Sequence, residues 1–425
     1  MGEITLNHIT KIEGHARLDL KVEDGKLVKC HLGSIEGSRY FQGLLKGREW
    51  SDAPVITSRI CGICSSAHGV VSVMALENAF GIKPSKQTLI LRELQTIGER
   101  IRSHATHLYF LAVPDYLGYE SALAMAPKFK VEVARALRLI KLGNELITLI
   151  SGRVMHQIST VVGGFTHFPK QSELDDMRKR FEDAEEDINE TVKLVASLPL
   201  PEVDSDTQFF CLTRKGEYAT SYGDVSVDGK IFPQSEYKKF TEEYHEPYSN
   251  ANFVVKEGKA YYVGSLARLN NNYDQLCDAA KKAMKESKFE IPNFNPFYNN
   301  LAQAIELVQH REEAIKALKS LKIKHEDPVK FVVKACRGIA ANEAPRGTVW
   351  HEYEIDKDGL IKYANVIAPT TQSLLNMQND LAKYVQIMLD GKKKKKVIVA
   401  ECEKLIRSYD PCFSCATHFL EVNWS

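Results

Sequence analysis

Two Cys-x-x-Cys motifs at opposite ends of the sequence constrain this chain more than any other feature. Cys61 and Cys64 form the first pair, and Cys412 and Cys415 form the second. Two intervening residues allow both sulfurs of a pair to face one metal ion. Zinc modules place their two pairs about 15 to 20 residues apart and fold locally. Pairs that bracket almost the whole chain predict instead one buried metal centre that only the completed fold can assemble.

The identity of the metal does not follow from this spacing. Soft thiolates suit zinc, nickel, copper(I) and iron–sulfur clusters, so all four stay open at this point. The chain has nine cysteines thinly scattered over 425 residues, a pattern typical of reduced thiols in a cytoplasmic protein rather than of a disulfide framework. The other five lack partners at ligand spacing and are expected to pack as small hydrophobes. They are Cys30, Cys211, Cys277, Cys336 and Cys402.

Composition and charge exclude several classes of protein. The formal net charge of +1 gives no general attraction to nucleic acid. There is no run of about 18 apolar residues that would span a membrane, and the first residues lack the pattern of a signal peptide. We therefore expect a cytoplasmic chain that has no membrane span and binds no nucleic acid. The lysine run at 392–396 is expected to be solvated, and His104 and His107 to be ordinary hydrogen-bonded histidines.

Hydrophobic periodicity predicts a mainly helical fold. The segments with apolar residues at helical spacing are 84–113, 127–158, 173–198, 298–321 and 371–389. The segments that alternate in the manner of strands are 3–35, 253–269 and 348–367. The irregular stretch 200–250 is expected to be a surface excursion. The sequence thus predicts a single α+β, predominantly α domain over 1–425, with a long central helix bundle, small peripheral antiparallel β elements and a metal site built from both chain ends.

Five motifs in a fixed order give the chain a specific resemblance. They are Ile12-Glu13-Gly14-His15; Arg59-Ile60-Cys61-Gly62-Ile63-Cys64 with His68; Glu343-Ala344-Pro345-Arg346-Gly347; Pro369-Thr370-Thr371; and Asp410-Pro411-Cys412 with Cys415 and His418. Any one of them is a weak signal. Together and in this order they resemble the large, catalytic subunit of nickel–iron hydrogenases over nearly the whole chain, and in particular its soluble cytoplasmic branch.

The resemblance implies dihydrogen as the substrate and a nickel–iron centre whose iron carries carbon monoxide and cyanide. Carried onto this sequence, Cys61 and Cys412 would be terminal nickel ligands. Cys64 and Cys415 would bridge nickel and iron. His68 would lie beside a bridging sulfur without ligating a metal.

The resemblance also implies catalytic and cofactor-binding residues around the metals. The guanidinium of Arg346 would lie over the open coordination site, with Asp115 and Asp410 near it. The backbone of Pro345 and Arg346 and the hydroxyl of Thr370 would hydrogen-bond the cyanides.

Proton transfer is assigned by the resemblance to a carboxylate near the N-terminus. Glu13 would pass protons away from the sulfur of Cys415. A terminal cysteine thiolate could equally take the first proton, so the primary base stays open.

Two features depart from the family pattern, the residue at position 42 and the tail after His418. The family has a glutamate four residues before a Lys-Gly-Arg segment, where it helps to bind a magnesium or iron ion. Here Gln42 stands in that place, whereas His418, the other expected ligand, is present. A neutral amide is a poorer ligand for a hard cation than a carboxylate, which argues against the extra ion. Family members are often cut just after the histidine matching His418, and we expect the seven residues 419–425 to stay uncleaved.

Partners follow from what the sequence lacks. It has no further cysteine cluster and no flavin or nucleotide motif, so electrons are expected to leave through another polypeptide. The resemblance implies an iron–sulfur small subunit, followed by flavin and iron–sulfur subunits that serve NAD(P) or ferredoxin. Two alternatives remain, a non-catalytic homologue of the complex I type and a structural metal-binding scaffold. The four cysteines with Arg346 and Glu13 argue against the first, and the motifs around Pro345 and Thr370 argue against the second.

Overall fold

Helices are the dominant element of the computed structural model, which describes residues 2–417. In chain order they are α1 (Phe41–Leu45), α2 (Asp52–Thr57), α3 (Ser65–Phe80), α4 (Lys86–Thr106), α5 (Val113–Tyr116), α6 (Ala122–Met125), α7 (Lys130–Ser151), α8 (Gln171–Asp183), α9 (Glu185–Ala196), α10 (Ser265–Asn272), α11 (Asp278–Glu286), α12 (Asn299–Ser320), α13 (Pro369–Asp390), α14 (Lys395–Ser408) and α15 (Phe413–Ala416). A π-helical segment, His107–Ala112, follows α4 directly.

The strands of the described residues form five small sheets. The strands are β1 (Glu3–Leu6), β2 (Ala16–Glu23), β3 (Lys26–Ser34), β4 (Thr160–Val161), β5 (Gly164–Phe165), β6 (Gln208–Thr213), β7 (Asp224–Val227), β8 (Lys230–Phe232), β9 (Glu242–Tyr244), β10 (Phe253–Val255), β11 (Tyr261–Tyr262), β12 (Cys336–Ala344), β13 (Gly347–Ile355) and β14 (Ile361–Ile367). The sheet orders are β1-β2-β3, β4-β5, β10-β9, β11-β6-β7-β8 and β12-β13-β14. All pairs are antiparallel except β11 with β6.

The longest helices pack in the centre of the molecule. α4 and α7 approach so closely that a methyl group on Gly143 would lie 2.5 Å from the carbonyl oxygen of Gly98, and only glycine permits this contact. The buried faces of α4, α7, α12 and α13 share one hydrophobic core with the N-terminal sheet. This is the predicted helix bundle.

A buried sheet joins the bundle to the region of the cysteines. α3 lies against β12 so closely that a methyl group on Gly338 would fall 2.0 Å from the carbonyl oxygen of Ala75. α3 starts directly after Cys64, and β12 ends two residues before Arg346. This packing therefore sets the first cysteine pair against the arginine.

The predicted fold class is confirmed, and the differences lie in weakly patterned segments. Within 253–269, only β10 and β11 are strands, and the segment from Ser265 onward belongs to helix α10. Leu266 and Leu269 are buried at helical spacing, but the helix is too short for its period to stand out. The stretch 200–250 is not a surface excursion, because β6 and β7 within it are largely buried and Phe210 lies in a hydrophobic cluster of the core. The sequence pattern did not predict strand β12.

Helix ends follow local chemistry. The helix predicted over 127–158 ends at Ser151, because Gly152 adopts a left-handed conformation with φ 80° and closes it. The lysine run at 392–396 is exposed, as expected, partly in a loop and partly in α14. Within residues 2–417, no helix combines the length and apolar character needed to cross a membrane.

Candidate metal centre

The first cysteine pair lies in the turn between α2 and α3. Cys61 and Cys64 are buried, and Cys64 is the last residue before α3. The buried carboxylate of Glu99 accepts hydrogen bonds from the first N–H groups of this helix, at 2.6 Å from Ser66 and 2.9 Å from Ala67. The carboxylate fixes the start of α3 and hence the position of Cys64.

The second pair is held by the N-terminal segment of the chain. Glu13 and Cys412 form a parallel backbone bridge, and the N–H of Phe413 donates to the carbonyl of Glu13 at 2.9 Å. The N–H of Cys412 donates to the hydroxyl of Thr370 at 2.8 Å. Gly14, at φ 80°, makes the approach possible, since a methyl group there would lie 3.0 Å from Cβ of Phe413.

The four sulfur atoms meet in one buried group, the cysteine cluster. All lie within 4.8 Å of one another, and the sulfurs of Cys412 and Cys61 are 3.5 Å apart. None of the four forms a disulfide. The apolar side chains packed with them include Phe41, Ile60, Val366 and Ala368. The prediction that both chain ends build one site is confirmed.

The cysteine cluster is short of positive charge. Burial raises the pKa of the Cys412 and Cys415 thiols well above their usual range. Hydrogen bonds from the other thiols, that of Cys412 first, hold the pKa of Cys61 well below it. The four thiols therefore cannot all ionise in the protein alone. A bound metal would supply the missing charge and displace the remaining protons.

Arg346 supplies a fixed cation next to the thiols. Its Nη1 lies 3.2 Å from Sγ of Cys64. Its Nε donates to the carbonyl of Asp410 at 2.8 Å, and Nη2 lies 2.9 Å from the carboxylate of the same residue. Burial alone would lower the pKa of Arg346, but Asp410 and the neighbouring sulfurs hold it well above its usual range. The guanidinium is thus charged and held in one orientation.

Of the two aspartates expected near Arg346, Asp410 contacts it and Asp115 pairs with other residues. The second carboxylate oxygen of Asp410 accepts a hydrogen bond from Gln303 at 3.0 Å, so both oxygens are occupied. Asp115 forms ion pairs with Lys11 and, at 2.8 Å, with Arg407. The structure thus brings Asp410 to the arginine of the site and gives Asp115 a different arginine.

Glu13 lies on the other side of the cysteine cluster. Its Oε2 is 3.0 Å from Sγ of Cys412, whereas the resemblance implied Cys415. The N–H of Ser414 donates to Oε2 at 3.1 Å, and the hydroxyl of Ser414 donates to Oε1. Burial, followed by the charge of Cys61, raises the pKa of Glu13. The carboxyl is therefore oriented by three contacts and takes up a proton more readily than an exposed glutamate.

His68 lies on α3, one turn after Cys64. Its Nδ1 is 3.1 Å from Nε2 of His351, whose Nδ1 is 2.7 Å from the hydroxyl of Tyr353. Burial lowers the pKa of His68 to about 4, so the ring is neutral near pH 7. The chain of contacts fixes its orientation.

Comparison with known proteins agrees with this geometry. A family model described as nickel-dependent hydrogenase matches residues 39–144 and 217–418. The alpha subunit of sulfhydrogenase 1 from Pyrococcus furiosus is 34% identical over 99% of this chain and 98% of its own length. The chain belongs to the nickel-dependent hydrogenase family.

Two further matches extend the comparison. The alpha subunit of sulfhydrogenase 2 from the same organism is 31% identical over 99% of this chain and all of its own length. A solved NAD+-reducing NiFe hydrogenase in its H2-reduced state superposes with a TM-score of 0.91 at 25% identity, covering 98% of this chain and 100% of the other. The predicted resemblance is confirmed, and the chain is a nickel–iron hydrogenase large subunit.

Pro345 and Thr370 flank the cysteine cluster in this hydrogenase. Proline has no N–H, and the carbonyl of Pro345 already accepts a hydrogen bond from Arg268 at 3.1 Å. Of the backbone groups of Pro345 and Arg346, only the N–H of Arg346 can therefore donate to a bound group. The hydroxyl of Thr370 accepts from Cys412 and still has its own hydrogen to donate.

Gln42 lies outside the cysteine cluster, on the short helix α1. Its amide nitrogen donates to Oδ1 of Asn365 at 2.8 Å and to the carbonyl of Val366 at 3.4 Å. His418, the other expected ligand of an extra ion, lies outside the described residues.

A second group of metal-binding residue types lies deeper in the bundle. His104, Glu306 and His310, the histidine–glutamate cluster, have ligand atoms within 4.8 Å of one another and are all buried. Arg268 donates to both oxygens of Glu306, from Nε at 2.6 Å and from Nη2 at 2.7 Å. His104 is 2.9 Å from the same carboxylate. His107 bonds to Gln303 and a backbone carbonyl, so both predicted histidines are hydrogen-bonded core residues.

Several residues of the site were not apparent from the sequence. Gln303 and Arg268 come from helices that carry no motif, and nothing in their local sequence marks them. Glu99 lies one helix away from the cysteines whose backbone it holds. Ser414 stands inside the second Cys-x-x-Cys motif, and a polar residue at that position was the one signal that could have been used.

Proposed function

We propose that this chain catalyses the reversible heterolytic cleavage of dihydrogen into protons and electrons at a nickel–iron centre whose iron carries carbon monoxide and cyanide. A nickel–iron pair supplies a redox-active, Lewis-acidic site for this reaction. The observation that carries the proposal is the group of four free buried thiols with a guanidinium and a carboxyl at hydrogen-bond distance. Soft sulfur donors in an apolar pocket fit both metals.

The four cysteines are assigned from the family resemblance. Cys61 and Cys412 would be terminal ligands of nickel, and Cys64 and Cys415 would bridge the two metals. The N–H of Arg346 and the hydroxyl of Thr370 are the donors for the cyanide ligands. His68, neutral and oriented by its contact with His351, would tune a sulfur ligand without binding metal. 

Proton transfer is assigned to Cys412 and Glu13. Sγ of Cys412 and Oε2 of Glu13 are 3.0 Å apart, within reach of direct proton transfer. Because burial raises the pKa of Glu13, its carboxyl can hold the proton briefly before releasing it toward solvent. Ser414 keeps both carboxyl oxygens in place during this exchange.

Arg346 is assigned the task of stabilising charge as dihydrogen is polarised. Its guanidinium touches a sulfur of the cluster and is held by Asp410, so it needs no reorganisation during the reaction. Asp115 would act one step further away, by holding Arg407, whose carbonyl accepts the N–H of Asp410. It is a positioning residue rather than a catalytic one.

Electrons are proposed to leave through an iron–sulfur small subunit that docks beside the first cysteine pair. Exposed apolar side chains lie near this pair, with Val55 53%, Met155 48% and Ile158 55% exposed. Val55 and Ile158 line a groove of about 280 Å³ together with Arg59, two residues before Cys61. Met155 sits against Gly62, between the two cysteines. Such a surface is typical of a protein interface, and it brings a partner close to the thiols.

The printed names of the relatives extend the proposal. Two are alpha subunits of sulfhydrogenases, and the solved structure is of an NAD+-reducing enzyme. We propose that further flavin and iron–sulfur subunits pass the electrons to NAD(P) or ferredoxin in the cytoplasm. Residues 1–425 would act as one unit, because both ends build the site.

Docking can be tested apart from catalysis. Ile158→Asp should abolish co-purification of the iron–sulfur subunit, because it places a charge in the apolar face. Ile387→Asp is the matched control, since Ile387 is 48% exposed on α13. Retention of the subunit by Ile158→Asp would rule out this docking face.

Metal analysis with infrared spectroscopy tests the reaction centre. The purified complex should contain one nickel per chain and show bands from iron-bound carbon monoxide and cyanide, together with hydrogen-dependent reduction of an acceptor dye. Zinc in place of nickel, without such bands, would support the structural scaffold instead and overturn the proposal.

A further inference from the structure

A chain of hydrogen bonds with a fixed direction runs from β13 to Gln42. It starts at Glu352, which is buried and lies 2.8 Å from Nζ of Lys238 and in contact with Arg337. Burial alone would raise the pKa of Glu352, but Lys238, Tyr237 and Arg337 hold it below its usual range. An ionised carboxylate only accepts hydrogen bonds, so every contact to it comes from a donor.

This acceptor orients the groups that follow. The hydroxyl of Tyr237 lies 2.6 Å from Glu352 and must donate to it. Its oxygen can then only accept, and it does so from Nδ2 of Asn365 at 3.1 Å. The same Nδ2 donates to the carboxylate of Glu243 at 3.1 Å. Two independent acceptors therefore fix the amide of Asn365, and its Oδ1 faces Gln42.

Gln42 completes the chain as a donor. Its Nε2 donates to Oδ1 of Asn365 at 2.8 Å and to the carbonyl of Val366 at 3.4 Å. A glutamate at this position would turn oxygen toward two acceptors and would need a cation between them. An amide needs none, because its own hydrogens fill that role. Within residues 2–417, the groups around Gln42 therefore do not fit the extra magnesium or iron ion of the family.

We propose that the amide of Gln42 replaces this ion, so that the hydrogenase joins α1 to the end of β14 without a divalent cation. The joint is close to the reaction centre, because Phe41 and Val366 both pack with the cysteines and Thr370 follows Val366 by four residues. The inference rests on family membership and on this network, and it stands apart from the proposed reaction.

The test uses the whole purified complex, dialysed against EDTA, and counts bound Mn²⁺ by electron paramagnetic resonance. The wild type should take up no tightly bound Mn²⁺, and its thermal midpoint should not change with EDTA or added Mg²⁺. Gln42→Glu should bind one Mn²⁺ per chain and lose thermal stability in EDTA, with recovery when Mg²⁺ or Mn²⁺ returns. Gln87→Glu is the matched control, because the amide of Gln87 also bonds to backbone, at Lys324.

Each outcome decides the proposal. One tightly bound Mn²⁺ per wild-type chain, lost in Gln42→Ala, would overturn it. So would a Gln42→Glu complex that matches the wild type in EDTA. If Gln42→Glu does not accumulate, the wild-type titration and its response to EDTA still settle the question. Hydrogen turnover is not a readout, so a failure here is distinct from a failure of the proposed function.

Discussion

The cysteine cluster and the histidine–glutamate cluster both gather metal-binding side chains in the core, and they differ in charge. The cysteine cluster holds four thiols, and the guanidinium of Arg346 that contacts them is shared with Asp410. In the histidine–glutamate cluster, both oxygens of the carboxylate already accept from Arg268. Burial alone would raise the pKa of Glu306, but Arg268 holds this pKa well below its usual range.

The difference separates a binding site from a structural ion pair. An added cation would supply charge that the cysteine cluster lacks, whereas beside Arg268 it would be repelled. Burial lowers the pKa of His104 to about 4 and that of His310 to about 3, and the charge of Arg268 contributes to both decreases. The same positive charge would oppose a metal cation. Proximity and burial of ligand-type residues therefore do not define a metal site unless their charge is also unbalanced.

The sharpest test of the comparison removes a sulfur. Cys412→Ser should lower hydrogen turnover on the order of 1,000-fold or more, because a hard hydroxyl replaces a soft thiolate, and nickel content should fall with it. Cys277→Ser is the control, since the Cys277 sulfur caps α11 and serine is a good cap. Equal turnover in the two variants would remove Cys412 from the site.

A second test removes the proton acceptor while leaving the metal in place. Glu13→Gln should slow turnover about 100- to 10,000-fold, with nickel content unchanged, since an amide cannot accept the proton from Cys412. Glu36→Gln serves as the control. Glu36 pairs at 4.0 Å with His15, which lies two residues after Glu13. Full activity with Gln at position 13 would show that another group carries the proton.

The third test addresses the histidine–glutamate cluster. Arg268→Met should destabilise the fold by about 3 to 5 kcal/mol, because it leaves the buried carboxylates of Glu306 and Glu343 without their cation. Arg138→Met, which breaks an exposed pair with Asp187, should cost less than about 1 kcal/mol. Thermal unfolding measures both, and similar losses would contradict the structural role of Arg268.

The smallest effect is a pH dependence. The pKa of His104 is about 4 in the fold against about 6.5 in an unfolded chain, so the unfolded state gains a proton first as pH falls. Stability linked to this residue is complete above pH 6.5 and is lost between about pH 6.5 and 4, by up to about 3 kcal/mol.

His104→Gln should remove that part of the acid sensitivity without changing nickel content. The measurement is the difference between the thermal midpoints of wild type and variant at pH 7.5 and pH 5. A constant difference would show that His104 does not titrate in this way.

Sequence and structure agree most where the chemistry is carried by motifs. Two cysteine pairs with short spacing predicted one shared site, and the structure brings their four sulfur atoms within 4.8 Å of one another. The helix bundle followed from periodicity. The residues that hold the site could not be predicted, because their partners depend on how helices dock. Asp115 bonds to Lys11 and Arg407, and no local pattern distinguishes that choice from a bond to Arg346.

The backbone bridge between Glu13 and Cys412 has a consequence for how the enzyme is made. The two residues are 399 positions apart, so a ribosome produces the second long after the first. Domains begin to fold during synthesis from the N-terminus, yet this centre stays incomplete until Cys412 has been made and can pair with Glu13. Delivery of metal and closure of the pocket are therefore late events, and a chain stopped anywhere before Cys412 is an enzyme without a reaction centre.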